Sequence, residues 1–181
     1  MKKIIKMLLP VFFILFLFSC SGKVLPPPQW TYEKDAIKLQ VIADPMLNLD
    51  EGKAHTLHVC VYQLKDPNAY NQLLNDQSGL YKLLDCKLFD QGVAASKRLI
   101  VHPGENTTMI LDRAEDAKYL AVVAGYYDIS KERITRLVEI PVIIEEKGFI
   151  SKERRKIPGL LDVKLLLGPQ QIEKIEGNTN G

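Results

Sequence analysis

The sequence predicts a mainly all-β protein, an antiparallel β-sandwich with one short helical insertion. Seven or eight short segments alternate polar and apolar residues or are continuously apolar, and turn residues separate them. Only residues 66–84 show helical spacing of apolar side chains. Many short strands with little helix are typical of a sandwich, so we expect residues 36–168 to form one such domain.

The first two predicted strands flank an unusually long loop. Residues 36–43 alternate, with Ile37, Leu39 and Val41 on one face. Residues 55–64 form the second strand, and the intervening loop, residues 44–54, is long for a hairpin.

The helical insertion is predicted to begin at Asp66 as N-cap, with Pro67 at the first helical position. Gly79 is expected to divide it into two short helical turns. Each turn places leucines or a tyrosine on one face, namely Tyr70, Leu73 and Leu74, then Leu80, Leu83 and Leu84.

The remaining predicted strands cover residues 96–101, 107–111, 119–127, 135–144 and 160–167. Pro141 lacks an N–H donor, which favours an edge or a bulge within its strand. We expect residues 148–158 to form a charged excursion and residues 169–181 a frayed C-terminal tail.

The N-terminus has the pattern of a secretory signal peptide over residues 1–19. Three lysines precede an apolar run from Met7 to Phe18, and small residues follow. Roughly twenty apolar residues are needed to cross a bilayer, and this run is shorter and contains Pro10. A retained membrane-spanning helix is therefore not expected.

The end of this segment, Leu17-Phe18-Ser19-Cys20, resembles the bacterial lipobox. That resemblance implies cleavage before Cys20 and a diacylglycerol, usually with an N-acyl chain, on that cysteine. Several acyl chains make attachment effectively permanent, and Ser21 is permissive for transfer to the outer membrane. Residues 20–35, with three consecutive prolines, are predicted to be the lipidated cysteine and a stiff tether.

Charge argues against nucleic acid as a partner. The chain has 24 Lys and Arg against 22 Asp and Glu, and three of the lysines lie in the predicted signal peptide. The mature part therefore has a net charge of about −1, and no basic stripe with interleaved aromatic residues is present.

Cys60 and Cys86 have two interpretations. In an oxidising periplasm they form a disulfide; alternatively, both are small buried hydrophobic residues. The sequence does not fix the distance between them.

No group of residues predicts catalysis, a metal or a cofactor beyond the covalent lipid on Cys20. His58 and Cys60 share a strand face, whereas His55 points away, and two ligands do not make a zinc site. His102 has no evident partner, and the Gly-x-Ser-x-Gly pattern of a nucleophile elbow is absent. We therefore expect no enzyme activity and no small-molecule substrate.

Three segments carry a family resemblance. They are the pattern Ala43-Asp44-Pro45-x-Leu47-Asn48-x-Asp50-x-Gly52 before a strand ending Val61-Tyr62-Gln63-Leu64, then Pro103-Gly104-Glu105, then Ala121-Val122-Val123-Ala124-Gly125-Tyr126-Tyr127-Asp128. With the lipobox and the proline-rich tether, their order and spacing resemble the TssJ lipoproteins of the type VI secretion system.

The resemblance implies a transthyretin-like sandwich on the periplasmic face of the outer membrane. It also implies binding to the periplasmic C-terminal domain of the inner-membrane protein TssM through the loop between the first two strands. Here the implied binding residues are Asp44, Pro45, Met46, Leu47, Asn48, Leu49, Asp50 and Glu51. The alternative function is a transthyretin-like lipoprotein that captures a small ligand or peptide in the periplasm.

The loop composition itself fits an interface, with apolar anchors inside a charged rim. Another interpretation is that Leu47 or Leu49 folds back to plug the end of the sandwich, while Asn48 and Asp50 cap turns. Met46 is the residue we expect to be exposed.

Overall fold

The structure is a computed structural model that describes residues 25–148 and 152–178. The predicted signal peptide over residues 1–19 and the predicted lipidation site Cys20 lie outside the described residues. None of the helices in the described part has the length and hydrophobicity needed to cross a bilayer.

The structure confirms the predicted β-sandwich. In chain order the strands are β1 (Glu33–Ala43), β2 (Leu57–Leu64), β3 (Val93–Val101), β4 (Asn106–Arg113), β5 (Tyr119–Ala124), β6 (Thr135–Glu139), β7 (Val142–Lys147), β8 (Glu153–Pro158), β9 (Leu161–Leu167) and β10 (Ile172–Asn178). One sheet has the order β10-β9-β1-β4 and the other β3-β2-β5-β6, while β7 and β8 form a separate hairpin.

Strand β1 is the central structural element of the first sheet. Ile37, Leu39 and Val41 are fully or almost fully buried, as the alternation predicts. It pairs antiparallel with β4 and parallel with β9, so one pairing departs from a wholly antiparallel sandwich. Alternation of side chains fixes which face is buried, but it carries no information on strand direction.

Strand β2 is buried on both faces because two helices cover its outer side. These are α1 (Asn68–Leu73) and α2 (Gln77–Leu84). The hydroxyl of Tyr62 donates a 2.6 Å hydrogen bond to the carbonyl of Leu83. The insertion thus completes the core over the second sheet.

The helix boundaries differ in detail from the prediction. Pro67 is the N-cap of α1, and the Asp66 carboxylate one residue earlier accepts from the N–H of Asn68 at 2.7 Å. Gly79 lies inside α2 rather than between the helices, and a Cβ there would come within 2.0 Å of the Leu73 carbonyl oxygen. The close approach of the two helices therefore requires this glycine.

Two segments near the C-terminus also differ. The single strand predicted over residues 135–144 is interrupted at Pro141, so β7 leaves the sheet and pairs with β8 inside the predicted charged excursion. The predicted frayed tail contains β10, which pairs with β9 and buries Ile172. Its sparse apolar residues give no clear alternation, so the pairing depends on tertiary contacts.

The last residues of the predicted tether belong to the domain. The Trp30 ring packs against the core, and the backbone carbonyl of Trp30 accepts a 2.7 Å hydrogen bond from the N–H of Asp116. Arg113 is 1% exposed, donates to the carbonyl of Thr31 and forms a 2.8 Å ion pair with Glu33. Residues 30–33 of the predicted tether are therefore part of the folded domain.

The sandwich has two ends that are built from different segments of the chain. The start of β1 and the base of the β7–β8 hairpin lie at one end, which we call the tether end. Residues of both segments line a recess there. At the loop end lie the end of β1, the loop over residues 44–56 and the turn after β9. With about 3.3 Å per residue, the eleven residues of β1 separate the two ends by roughly 33 Å.

Candidate interaction surface at the loop end

The loop after β1 is built from tight turns. The Asp44 carboxylate accepts from the N–H of Met46 at 2.7 Å, and its carbonyl accepts from the N–H of Leu47 at 2.9 Å. Asp50 and Lys53 exchange two backbone hydrogen bonds of 3.0 and 2.8 Å across Gly52, which has φ of +76°. Such local bonds fix the path of the backbone.

Met46 and Leu47 are adjacent but have opposite environments. Leu47 is fully buried in the core, whereas Met46 is 43% exposed. Leu49 is partly buried, and its N–H donates to the carbonyl of Pro169 at 2.7 Å. Leu47 therefore plugs the end of the sandwich and holds Met46 at the surface.

Asn48 connects the loop to the second sheet. Its backbone has φ of +48°, a conformation that asparagine tolerates better than most residues. Its Nδ2 donates to the carbonyl of Thr56, and its Oδ1 accepts from the N–H of Tyr127, both at 3.2 Å. Asn48 is 6% exposed, so this residue positions the loop and does not merely cap a turn.

The structure adds aromatic and charged residues that the sequence analysis did not assign to the site. The Tyr127 ring is 59% exposed and packs edge-to-face on the His55 ring, with centroids 5.4 Å apart. Arg133 forms an ion pair with Asp128 beside it. The signal that could have found them is Gly125-Tyr126-Tyr127-Asp128, where two tyrosines end a buried strand.

Together these groups line a shallow recess of about 170 Å³. Its lining includes Asn48, Leu49, Asp50, Tyr126, Tyr127, Asp128, Arg133, Pro169 and Gln170. Met46 and Tyr127 supply exposed apolar surface, while Asp50, Glu51 and the Arg133–Asp128 pair supply charge. This arrangement of exposed apolar and charged side chains can bind a protein surface.

Cys60 and Cys86 lie away from this surface and are joined by a disulfide, with Cα atoms 5.2 Å apart. His58 Nε2 lies 3.0 Å from Cys86 Sγ and 3.4 Å from Cys60 Sγ. Burial, and secondarily the Arg98 charge, lower the pKa of His58. Sulfurs bonded to each other offer no thiolate to a metal, although the three side chains lie close together. The disulfide within this cluster instead crosslinks β2 to the residues that follow α2.

The predicted site residues fall into separate groups. The structure brings Asp44 through Glu51 together at the loop end, but only some face solvent. His102 lies elsewhere, in the turn before β4, where its N–H donates to the Glu105 carboxylate at 2.8 Å. Cys20 is outside the described residues.

Comparisons with known proteins are consistent with this geometry. The family model described as Type VI secretion lipoprotein (VasD, EvfM, TssJ) matches residues 35–152. Among curated proteins, none matches the chain.

Solved structures share the fold at low sequence identity. The T6SS lipoprotein TssJ1 from Pseudomonas aeruginosa is 21% identical, with 86% of this chain and 100% of that chain covered and a TM-score of 0.57. Serratia marcescens Lip, a membrane-bound component of the type VI secretion system, is 16% identical over 80% and 98% of the two chains, with a TM-score of 0.55. A chain of the structure described as the T6SS protein TssM C-terminal domain (869-1107) from EAEC is 15% identical over 77% and 96%, with a TM-score of 0.55.

Proposed function

The chain belongs to the type VI secretion lipoprotein family, and we propose that it anchors the membrane complex of that secretion system. In this role it is attached to the periplasmic face of the outer membrane through lipid on Cys20. Its loop end binds the periplasmic C-terminal domain of the inner-membrane protein TssM. No catalytic step and no cofactor other than the covalent lipid belong to this function.

The observation that carries the proposal is the exposed Met46 on a rigid loop. Leu47 is buried beside it, and Asn48 bonds Thr56 at the end of the loop and Tyr127 after β5, so little conformational freedom is lost on binding. Preorganised surfaces bind more tightly because less entropy is lost on association. An exposed methionine and tyrosine inside a charged rim also match the composition of interface centres.

The positions of the two ends support a bridging role. The tether enters at the start of β1, and the loop begins where β1 ends, roughly 33 Å away. A protein held at the tether end therefore presents its loop away from the membrane that anchors it.

The alternative, capture of a small ligand or peptide, has weaker support. The loop-end recess of about 170 Å³ is smaller than the roughly 300–1,000 Å³ of most ligand pockets. A second recess of about 690 Å³ lies at the tether end, but charged side chains and prolines make up much of its lining. Ligand pockets are predominantly apolar and aromatic.

Binding to the TssM periplasmic domain tests the partner assignment. We expect Met46→Asp and Tyr127→Ala each to weaken the interaction at least tenfold in a titration with purified domains. Ile110→Asp is the matched control, because Ile110 is 51% exposed in β4 and outside the proposed interface. Unchanged binding by both interface variants would exclude this surface, and no binding by the wild type would exclude the partner.

Point variants are preferable to removal of the loop. Deletion of residues 45–51 also removes the buried Leu47 and the hydrogen bonds of Asn48. Loss of binding after such a deletion would not separate contact from folding.

A Cys20→Ser variant tests the anchor separately. We expect it to fold and to bind TssM with unchanged affinity, yet to remain in the soluble periplasmic fraction and fail to support secretion. A Cys20→Ser protein that still sediments with outer membranes would contradict lipid attachment at this residue.

A further inference from the structure

We propose that the β7–β8 hairpin rests on the surface of the bilayer to which the chain is anchored. The proposal concerns orientation and rests on the proposed function, since it requires lipid on Cys20. It assigns one side of the hairpin as a membrane-contacting surface with exposed aliphatic and basic side chains.

Chain length brings the hairpin within reach of the membrane. The described structure begins at Leu25, five residues after Cys20. A fully extended chain covers at most about 3.6 Å per residue, so Leu25 lies within about 18 Å of the acylated residue. Pro26 and Pro27 line the same recess as Arg155 and Pro158 of β8. The hairpin is therefore beside the point at which the chain leaves for the membrane.

The length of the hairpin is similar to that distance. Each strand has six residues, which corresponds to roughly 17 Å from its first to its last Cα atom. In the part of the chain that the structure describes, β7 and β8 pair only with each other. Val142, Ile144 and Glu146 on one face of β7 are exposed, whereas Ile143 and Glu145 on the other face are partly buried.

One face combines apolar and basic side chains. Val142 and Ile144 are 42% and 56% exposed. The register pairs Val142 with Pro158 and Ile144 with Lys156, and it places Arg154 opposite Glu146 one step further along. Aliphatic side chains enter the boundary between headgroups and acyl chains, while lysine and arginine contact lipid phosphates.

The acidic side chains of the hairpin do not oppose this contact strongly. Glu146 is paired with Arg154 and Lys152, and Glu145, on the other face, is paired with Arg155. Lys156 has no carboxylate within ion-pair distance among the described residues, which leaves its charge available to a phosphate. Glu153 is exposed near the hairpin tip.

A weak contact is sufficient because the anchor is covalent. A short linker gives the tethered group an effective concentration in the millimolar range. Contact at the hairpin, added to the anchor, restricts rotation of the domain about its tether. The loop end then faces the periplasm.

The test places an environment-sensitive fluorophore at either end of the lipidated full-length mature protein. Val142→Cys and Met46→Cys are matched, with 42% and 43% exposure of the native side chains. Cys60 and Cys86 are joined and Cys20 is acylated, so the new thiol is labelled. The protein is incorporated into phosphatidylethanolamine–phosphatidylglycerol vesicles that contain brominated lipid.

We expect the label at position 142 to be quenched at least threefold more than the label at position 46. Adding Ile144→Asp to the Val142→Cys protein should reduce this quenching, whereas adding Ile110→Asp, a residue of similar exposure in β4, should not. Equal quenching at the two ends would overturn the proposal. A protein that stays in the supernatant would instead show that the anchor assignment fails.

Discussion

Met46 and Leu47 are adjacent residues that should respond to the same substitution in opposite ways. Leu47 is fully buried at the end of the core, and Met46 is 43% exposed. Truncation of Leu47 to alanine removes buried methyl groups and leaves a cavity, whereas truncation of Met46 removes mainly solvent-exposed atoms. We therefore expect Leu47 to contribute to stability and Met46 to contribute to the proposed binding.

The expected magnitudes separate clearly. Leucine-to-alanine substitutions in cores cost about 2–5 kcal/mol, and we take about 3 kcal/mol for Leu47. In a domain of this size 1 kcal/mol lowers Tm by roughly 2–4 °C, so Leu47→Ala should lower it by roughly 6–12 °C. Met46→Ala should change the free energy of unfolding by less than about 0.5 kcal/mol.

Binding should show the reverse order for Met46. Loss of a central interface side chain costs more than about 1 kcal/mol, so Met46→Ala should weaken TssM binding by roughly tenfold. Thermal unfolding and calorimetric titration of the same samples measure both quantities. An unchanged Tm for Leu47→Ala, or a Met46→Ala variant that loses stability without losing affinity, would refute this division of roles.

Three further predictions concern stability at other positions. Replacing both Cys60 and Cys86 by alanine removes a crosslink between residues 26 positions apart. The loop-entropy relation predicts that this lowers the free energy of unfolding by about 3.5 kcal/mol. Chemical denaturation of the variant and the wild type measures the difference, and equal midpoints would contradict it. Trp30→Ala removes the ring that packs on the core and on the Arg113 guanidinium, which lies 5.8 Å from the ring centroid. A protease should then cut residues 25–32 of the variant faster than those of the wild type. Equal cleavage rates would show that the ring does not hold this segment. Hydrogen bonds from Arg155 and Arg154 lower the pKa of Glu145 and Glu146 respectively. Because the folded pKa is below the unfolded value, the ion pairs stabilise the hairpin at neutral pH, and this stabilisation is lost as the pH falls through the lowered pKa. NMR titration of both carboxyls measures the shift, and unshifted titrations would argue against these pairs.

The first sheet shows how far local pattern predicts structure. Alternation predicts the buried face of β1, and turn residues delimit the segments that form β4 and β9. The parallel pairing of β1 with β9 joins residues more than 120 positions apart, and local periodicity contains no information on such pairings. β10 escaped prediction for the same reason, since its register is set by β9 rather than by its own composition.

The candidate site was predictable in location but not in detail. The family resemblance implies that the loop over residues 44–54 carries the site, and the loop composition predicts that Met46 is exposed, as the structure shows. Whether Leu47 faces the core or solvent depends on the space at the end of the sandwich, which only the assembled sheets define. The contact of Tyr127 with His55 depends on the pairing of β5 with β2, and the approach of Cys86 to Cys60 likewise requires the position of α2.

The position of β1 between β9 and β4 determines how the domain bears mechanical load. If the tether is fixed in the outer membrane and the loop is held by a partner, tension runs along β1 from Glu33 to Ala43. The strand is then pulled lengthwise against both neighbours, which it contacts over residues 37–42. The hydrogen bonds of β1 to both neighbours then have to break together rather than one after another, which raises the barrier to unfolding under force. Forced unfolding depends on the height of this unfolding barrier rather than on equilibrium stability. Under the proposed function, the domain is therefore pulled in the direction in which the hydrogen bonds of β1 must break together.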